Sequence, residues 1–152
     1  MKRIISMLLA VMSVAALTAC GQQKDTAVDA QGLAKALVEE GSFESELTAV
    51  SDEELGYYFQ LPEGCTAAAY MSSGSTAEEV FVIQCKSGDD AAALRASMQE
   101  FLDSQKTEME RYLPAEVDRI NSAIFETYGT CVVLCVTSDT DTARSVIKEY
   151  VK

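Results

Sequence analysis

Histidine is absent from this sequence, so its reactive side chains are chiefly cysteines and carboxylates. That absence removes the commonest general base, the usual switch near neutral pH and the commonest metal ligand together. The run CVVLC sets Cys131 and Cys135 four residues apart. On a strand they share a face and stand ~13 Å apart at ~3.3 Å per residue. They can neither bridge one another nor share a zinc ion held at ~2.3 Å from each thiolate. A four-thiolate site would need Cys65 and Cys85 to converge on them, and nothing in the spacing indicates it, so no metal and no cofactor is expected. Cys65 and Cys85 differ, because a hairpin centred near Ser75 sets them opposite one another and permits a disulfide in an oxidising compartment. Without a neighbouring His or run of Lys to activate a thiol, all four read first as small buried hydrophobes.

The carboxylates offer no stronger catalytic pattern. Glu78 and Glu79 are adjacent, so on a strand they face opposite sides and cannot act together. Asp139 and Asp141, in SDTDTA, lack the third acid, central Gly and closing Glu of a calcium loop, and a helix cap is the expected role. SSGST at 72–76 lacks the Gly-x-Ser-x-Gly spacing, the following helix and the His partner of a serine elbow, and reads as a hairpin turn rather than an anion nest. Tyr57, Tyr58, Tyr70 and Tyr112 are expected in the core and at its rim, and are the residues to line a ligand site if there is one.

One cysteine stands apart. Residues 1–20 read MKRIISMLLAVMSVAALTAC: two basic residues, an apolar stretch from Ile4 to Leu17, then Leu17-Thr18-Ala19-Cys20. About 14 apolar residues are too few for a spanning helix, which needs roughly 20, but suit a signal-peptide core. The ending resembles the lipobox of bacterial lipoproteins. That resemblance implies a diacylglyceryl group on Cys20, cleavage between Ala19 and Cys20, and anchoring by two acyl chains, which suffice where one does not. Residues 1–19 thus read as a lipoprotein signal peptide, 20–31 as the lipidated cysteine and a polar tether, and 32–152 as one domain. The net charge of the whole chain is −12. Loss of residues 1–19, with Lys2 and Arg3 and no acid, leaves 10 basic against 24 acidic residues, or −14. Such a surface repels phosphate backbones and anionic headgroups, so nucleic acid is not an expected partner and membrane attachment should be covalent.

The elements that must position these residues follow from spacing. Asp29 caps a helix carrying Leu33, Leu37 and Val38 on one face, stopped at Gly41. Ser51-Asp52-Glu53-Glu54 is a capping box that opens a short helix with Leu55, Tyr58 and Phe59. Strands over 66–72 and 79–86 form a hairpin around Ser73-Gly74-Ser75-Thr76. A long helix starts at Asp89 and Asp90, with Leu94, Met98, Phe101, Leu102, Met109 and Tyr112 in steps of three and four and a polar gap at Gln105. Pro114 ends it and opens a shorter helix with Val117 and Ile120. A second hairpin, 123–128 and 130–137 around Gly129, precedes a closing helix from about Thr140 to Tyr150. A shift of 51 aligns Ser87, Asp90 and Ala92 with Ser138, Asp141 and Ala143, weakly suggesting two related halves. The expected fold is α+β: an antiparallel four-stranded sheet from two hairpins, with helices packed mainly on one face.

The ordered set of lipobox, Phe43-Glu44 with Leu47, Gly74-Ser75-Thr76-Ala77-Glu78-Glu79, Tyr112-Leu113-Pro114, Gly129 before an apolar strand, and Ser138-Asp139 before an amphipathic helix resembles the bacterial lipoprotein family known as domain of unknown function 4358. The resemblance spans roughly Asp29 to Lys152 and departs at Thr130-Cys131, where an aromatic residue is expected after the Gly. It implies a lipid-anchored surface protein, mostly of Gram-positive anaerobes, and assigns no activity and no catalytic residues. The function expected is a non-catalytic module on the extracytoplasmic face of the cell membrane, held by lipid on Cys20, that binds a protein or envelope component. A small-ligand-binding lipoprotein with an apolar cleft is the alternative, and an enzyme working through carboxylates alone ranks last.

Overall fold

The structure, a computed structural model, describes residues 28–151. The expected signal peptide, the expected Ala19–Cys20 cleavage and Cys20 lipidation, and the part of the expected tether at 20–27 lie outside the described residues. Packing begins before position 32. Val28 and Ala30 are buried, and the Asp29 carboxylate accepts from the Gly32 N–H to cap α1, Ala30–Glu40. Residues 28–31, expected in the tether, therefore belong to the domain.

After α1 come β1 (Leu47–Val50), α2 (Asp52–Leu55), β2 (Thr66–Ser72), β3 (Glu79–Gln84) and α3 (Gly88–Tyr112). A 3₁₀ turn at Pro114–Glu116 runs into α4 (Val117–Asn121), followed by β4 (Ile124–Tyr128), β5 (Cys131–Val136) and α5 (Thr140–Tyr150). Local chemistry accounts for most boundaries. Ser51 and Glu54 close the capping box of α2, the Ser87 hydroxyl caps α3, and Asp139 caps α5 through the Thr142 N–H. Gly129 has φ +60° in the two-residue turn between β4 and β5. Glycine at the first turn position with Thr130 second is the arrangement of a type II′ hairpin, whose twist matches the strands. Thr130, where an aromatic residue was expected, is engaged with β3: its hydroxyl accepts from Gln84 Nε2 at 2.6 Å and its carbonyl from the Cys85 N–H at 2.9 Å.

The sheet has five strands, not four, in the order β1-β2-β3-β5-β4, with every neighbouring pair antiparallel. The added strand β1 pairs with β2 from Leu47–Ser72 to Val50–Ala69. Helices cover both faces, which corrects the expectation of helices mainly on one. On one side α1 and α5 bury Leu33, Leu37, Val146 and Ile147 against Val80, Val82, Val133 and Cys135. On the other, α3 buries Leu94, Met98 and Leu102 against Phe81, Ile83, Leu134 and Val136. Two-sided cover explains why β3 and β5 are apolar at nearly every position rather than alternating. It also removes the suggested internal repeat, since α3 and α5 lie on opposite faces while a shift of 51 keeps strand residues on the same face. Burying each Leu is worth about 1.5–3 kcal/mol, and α3 is further tied down by Arg95. Its guanidinium lies 3.9 Å from the Phe125 ring centroid and donates to the Phe125 carbonyl at 2.9 Å.

Candidate functional site

The alternation of β3 separates its two leading acids. Glu78 turns toward the α1 side, where its carboxylate accepts from the backbone N–H groups of Glu44 (2.9 Å) and Ser45 (2.8 Å) and from the Thr76 hydroxyl (3.1 Å). Arg119 of α4 pairs with Glu44 at 2.6 Å and with Glu116 at 2.5 Å, and Glu116 in turn accepts the Ala77 N–H. Motif residues from the 43–45 segment and the β2–β3 loop thus meet at one end of the sheet. Glu78 is satisfied there, and its work is to fold the chain around it.

Glu79 faces the other way and is not satisfied. Its side chain is fully buried against α3, where Oε2 accepts from Gln105 Nε2 at 3.2 Å. The second oxygen, Oε1, has no hydrogen-bond partner, and neither has Gln105 Oε1. Burial, only partly offset by the Gln105 hydrogen bond, pushes the Glu79 carboxyl up to about 8. Leaving buried acceptors unpaired costs about 1–3 kcal/mol each, so a fold keeps few such groups.

Above this pair lies an open cleft of about 720 Å³ between α3, the β2–β3 loop and the segment after α2. Tyr57, Tyr58 and Phe101 supply aromatic walls, and Ser104 and Met109 extend the α3 side. Tyr58 stacks edge-on to Phe101 with centroids 5.6 Å apart, and Phe59, Phe81 and Phe101 form the packed aromatic base. Glu78, Glu79, Glu100 and Glu108 line the cleft, and no Lys or Arg does. The volume lies within the range of small-molecule sites.

Other candidate residues fall outside this place. Tyr70 packs on the α1 side, and Tyr112 is 78 % exposed near the end of α3. Asp139 is the α5 cap. SSGST forms the β2–β3 turn, with Gly74 at φ +91°. The β2–β3 register is centred on Ser75, and one step beyond its last pair Cys65 and Cys85 lie opposite one another with sulfurs 3.1 Å apart, as free thiols. Cys131 and Cys135 are fully buried on the α1 face, and burial pushes each thiol up to about 12. Reasoning from sequence did not pair Glu79 with Gln105. The signals were an acid heading an apolar strand and the polar gap in the α3 stripe.

No helix among the described residues is long and apolar enough to cross a membrane. No curated protein and no solved structure matches the chain. A family model does match, over residues 39–137, a span that contains every residue lining the cleft. The chain belongs to the family described as Domain of unknown function (DUF4358).

Proposed function

We propose that this protein is a lipid-anchored, non-catalytic binding lipoprotein of the extracytoplasmic membrane face, and that the cleft over α3 receives a small ligand. The observation that carries this reading is the Glu79–Gln105 pair, with unpartnered acceptor atoms at the floor of a cleft of about 720 Å³. It reverses the order expected from sequence, where partner binding stood first and a small ligand second. The cleft is also less apolar than that alternative supposed, because four glutamates line it.

A catalytic role is not favoured. Carboxylate hydrolysis needs two acids on either side of a reacting bond, but Glu78, although it borders the cleft, has its carboxylate taken up by the Glu44 and Ser45 N–H groups and the Thr76 hydroxyl. Glu79 is buried, whereas Glu100 and Glu108 are exposed on α3. The serines of the turn have no base beside them.

Native mass spectrometry on the full chain extracted from its own membrane tests the reading. A stoichiometric small-molecule adduct is expected, and Ser104→Trp, which fills the cleft, should abolish it. No adduct, together with one protein cross-linked through Tyr57, would replace this reading with the partner-binding one. That second reading draws on the 80 % exposure of Tyr57.

A further inference from the structure

We infer that the ligand of this cleft is an organic cation bearing a primary ammonium or guanidinium group, whose N–H donors reach the Glu79–Gln105 floor while its carbon skeleton lies against the Tyr57–Tyr58 wall. This rests on the binding reading above and names the ligand class. Three independent features of the cleft select it.

The first is the chemistry of the floor. Glu79 Oε1 and Gln105 Oε1 are both buried without a hydrogen-bond partner. Beside a bound cation Glu79 is held in its ionised, acceptor-only form, so a group that meets both oxygens must donate at least twice. A primary ammonium carries three N–H donors and a guanidinium five. A carboxylate or phosphate carries none and would add its charge to that of the lining. The second feature is that charge: glutamates line the cleft without a single basic residue, and a chain of net charge −12 surrounds it. The field therefore concentrates cations and excludes anions. The third is the wall. Aromatic faces attract organic cations through the ring quadrupole, and Tyr57 and Tyr58 are respectively 80 % and 46 % exposed beside the buried carboxyl. A metal ion is a poorer fit, since no group of three or more metal-binding side chains occurs among the described residues and an aromatic wall offers an ion no ligands.

Donor number also divides cations from one another. A quaternary ammonium can use the aromatic wall but has no N–H for the floor. Primary amines should therefore outbind it, and the preference should depend on Glu79.

The test is calorimetric titration of the full chain, in detergent, with four probes: cadaverine, agmatine, choline and the uncharged 1,5-pentanediol. Cadaverine or agmatine should bind, choline more weakly and pentanediol not at all. Glu79→Gln should weaken the amine by at least about tenfold, the scale of a hydrogen bond to a charged group. Tyr58→Ala, on the exposed rim, gives a second loss that does not depend on the core. Choline binding as well as cadaverine, with Glu79→Gln without effect, overturns the inference. A panel of neutral sugars and polyols is titrated in parallel. If one of these binds, competes with nothing cationic and is lost in Ser104→Trp, the ligand class is wrong while the binding cleft stands. If neither amines nor neutral probes bind, and the extracted protein carries no adduct, both fall together.

Discussion

Replacing Glu79 by Gln should stabilise the domain in a pH-dependent way, and the size of the effect follows from burial. In the folded chain the carboxyl titrates near 8, against 4.5 when exposed. Between those values the folded state holds a proton that the unfolded state releases. The associated stability is therefore complete below about pH 4.5 and is lost progressively as the pH rises through 8. Each pH unit of that window is worth about 1.4 kcal/mol. The loss is then about 3 kcal/mol by pH 7 and about 5 kcal/mol once Glu79 is ionised in both states. Gln is uncharged, keeps the shape and does not titrate, and the remaining carboxylates are common to both proteins. The stability difference between Glu79→Gln and the parent should accordingly widen by about 3 kcal/mol from pH 4.5 to pH 7. Urea unfolding of both proteins at several pH values measures it directly, with equal slopes as the check that compactness is unchanged. A difference that stays flat from pH 5 to pH 8 would show that water reaches Glu79, and would remove the unpartnered pair from the argument for a ligand.

Other residues make independent predictions. Arg119→Ala strands Glu116 and frees Glu44; because Glu44 is largely exposed, the loss should be about 2–3 kcal/mol, below the full range for a buried pair, and urea unfolding measures it. Cys65 and Cys85, with sulfurs 3.1 Å apart, should form a disulfide on exchange with oxidised glutathione, releasing two equivalents of reduced glutathione. The bridge should add about 3 kcal/mol of stability, while Cys131 and Cys135 stay unreactive to iodoacetamide until unfolding. Intact mass of membrane-extracted protein should show a chain starting at Cys20 with a diacylglyceryl adduct, and Cys20→Ser should move the protein out of the membrane fraction.

Signals confined to a few neighbouring residues were legible in the sequence. The Ser51–Glu54 box, the Asp29 and Asp139 caps, the hairpin register about Ser75 and the Gly129 turn depend on local chemistry and are found where that chemistry puts them. Strand β1 was missed because four residues, Leu-Thr-Ala-Val, carry too little pattern of their own, and they become a strand by pairing with the edge of β2. The expectation of one-sided helices ignored a signal that was present. Val80-Phe81-Val82-Ile83 and Cys131 to Val136 are apolar on both parities, which a strand with one wet face does not tolerate. For the candidate site, the tyrosines and the gap at Gln105 were visible, but the contact joining Gln105 to Glu79 spans 26 residues. No local rule relates positions that far apart.

The strand order has a consequence for how the protein must be made. β3 sits in the middle of the sheet, yet one of its edges pairs only with β5, and residues 85–130 separate the two strands. In a chain delivered amino terminus first at about 5–20 residues per second, that edge waits on the order of several seconds for its neighbour. Throughout the delay a largely apolar strand presents open N–H and C=O groups, the template on which chains aggregate. The last helix, α5, then closes the layer over Leu33 and Leu37, so even a short carboxy-terminal truncation should leave the chain dependent on a chaperone or prey to proteolysis.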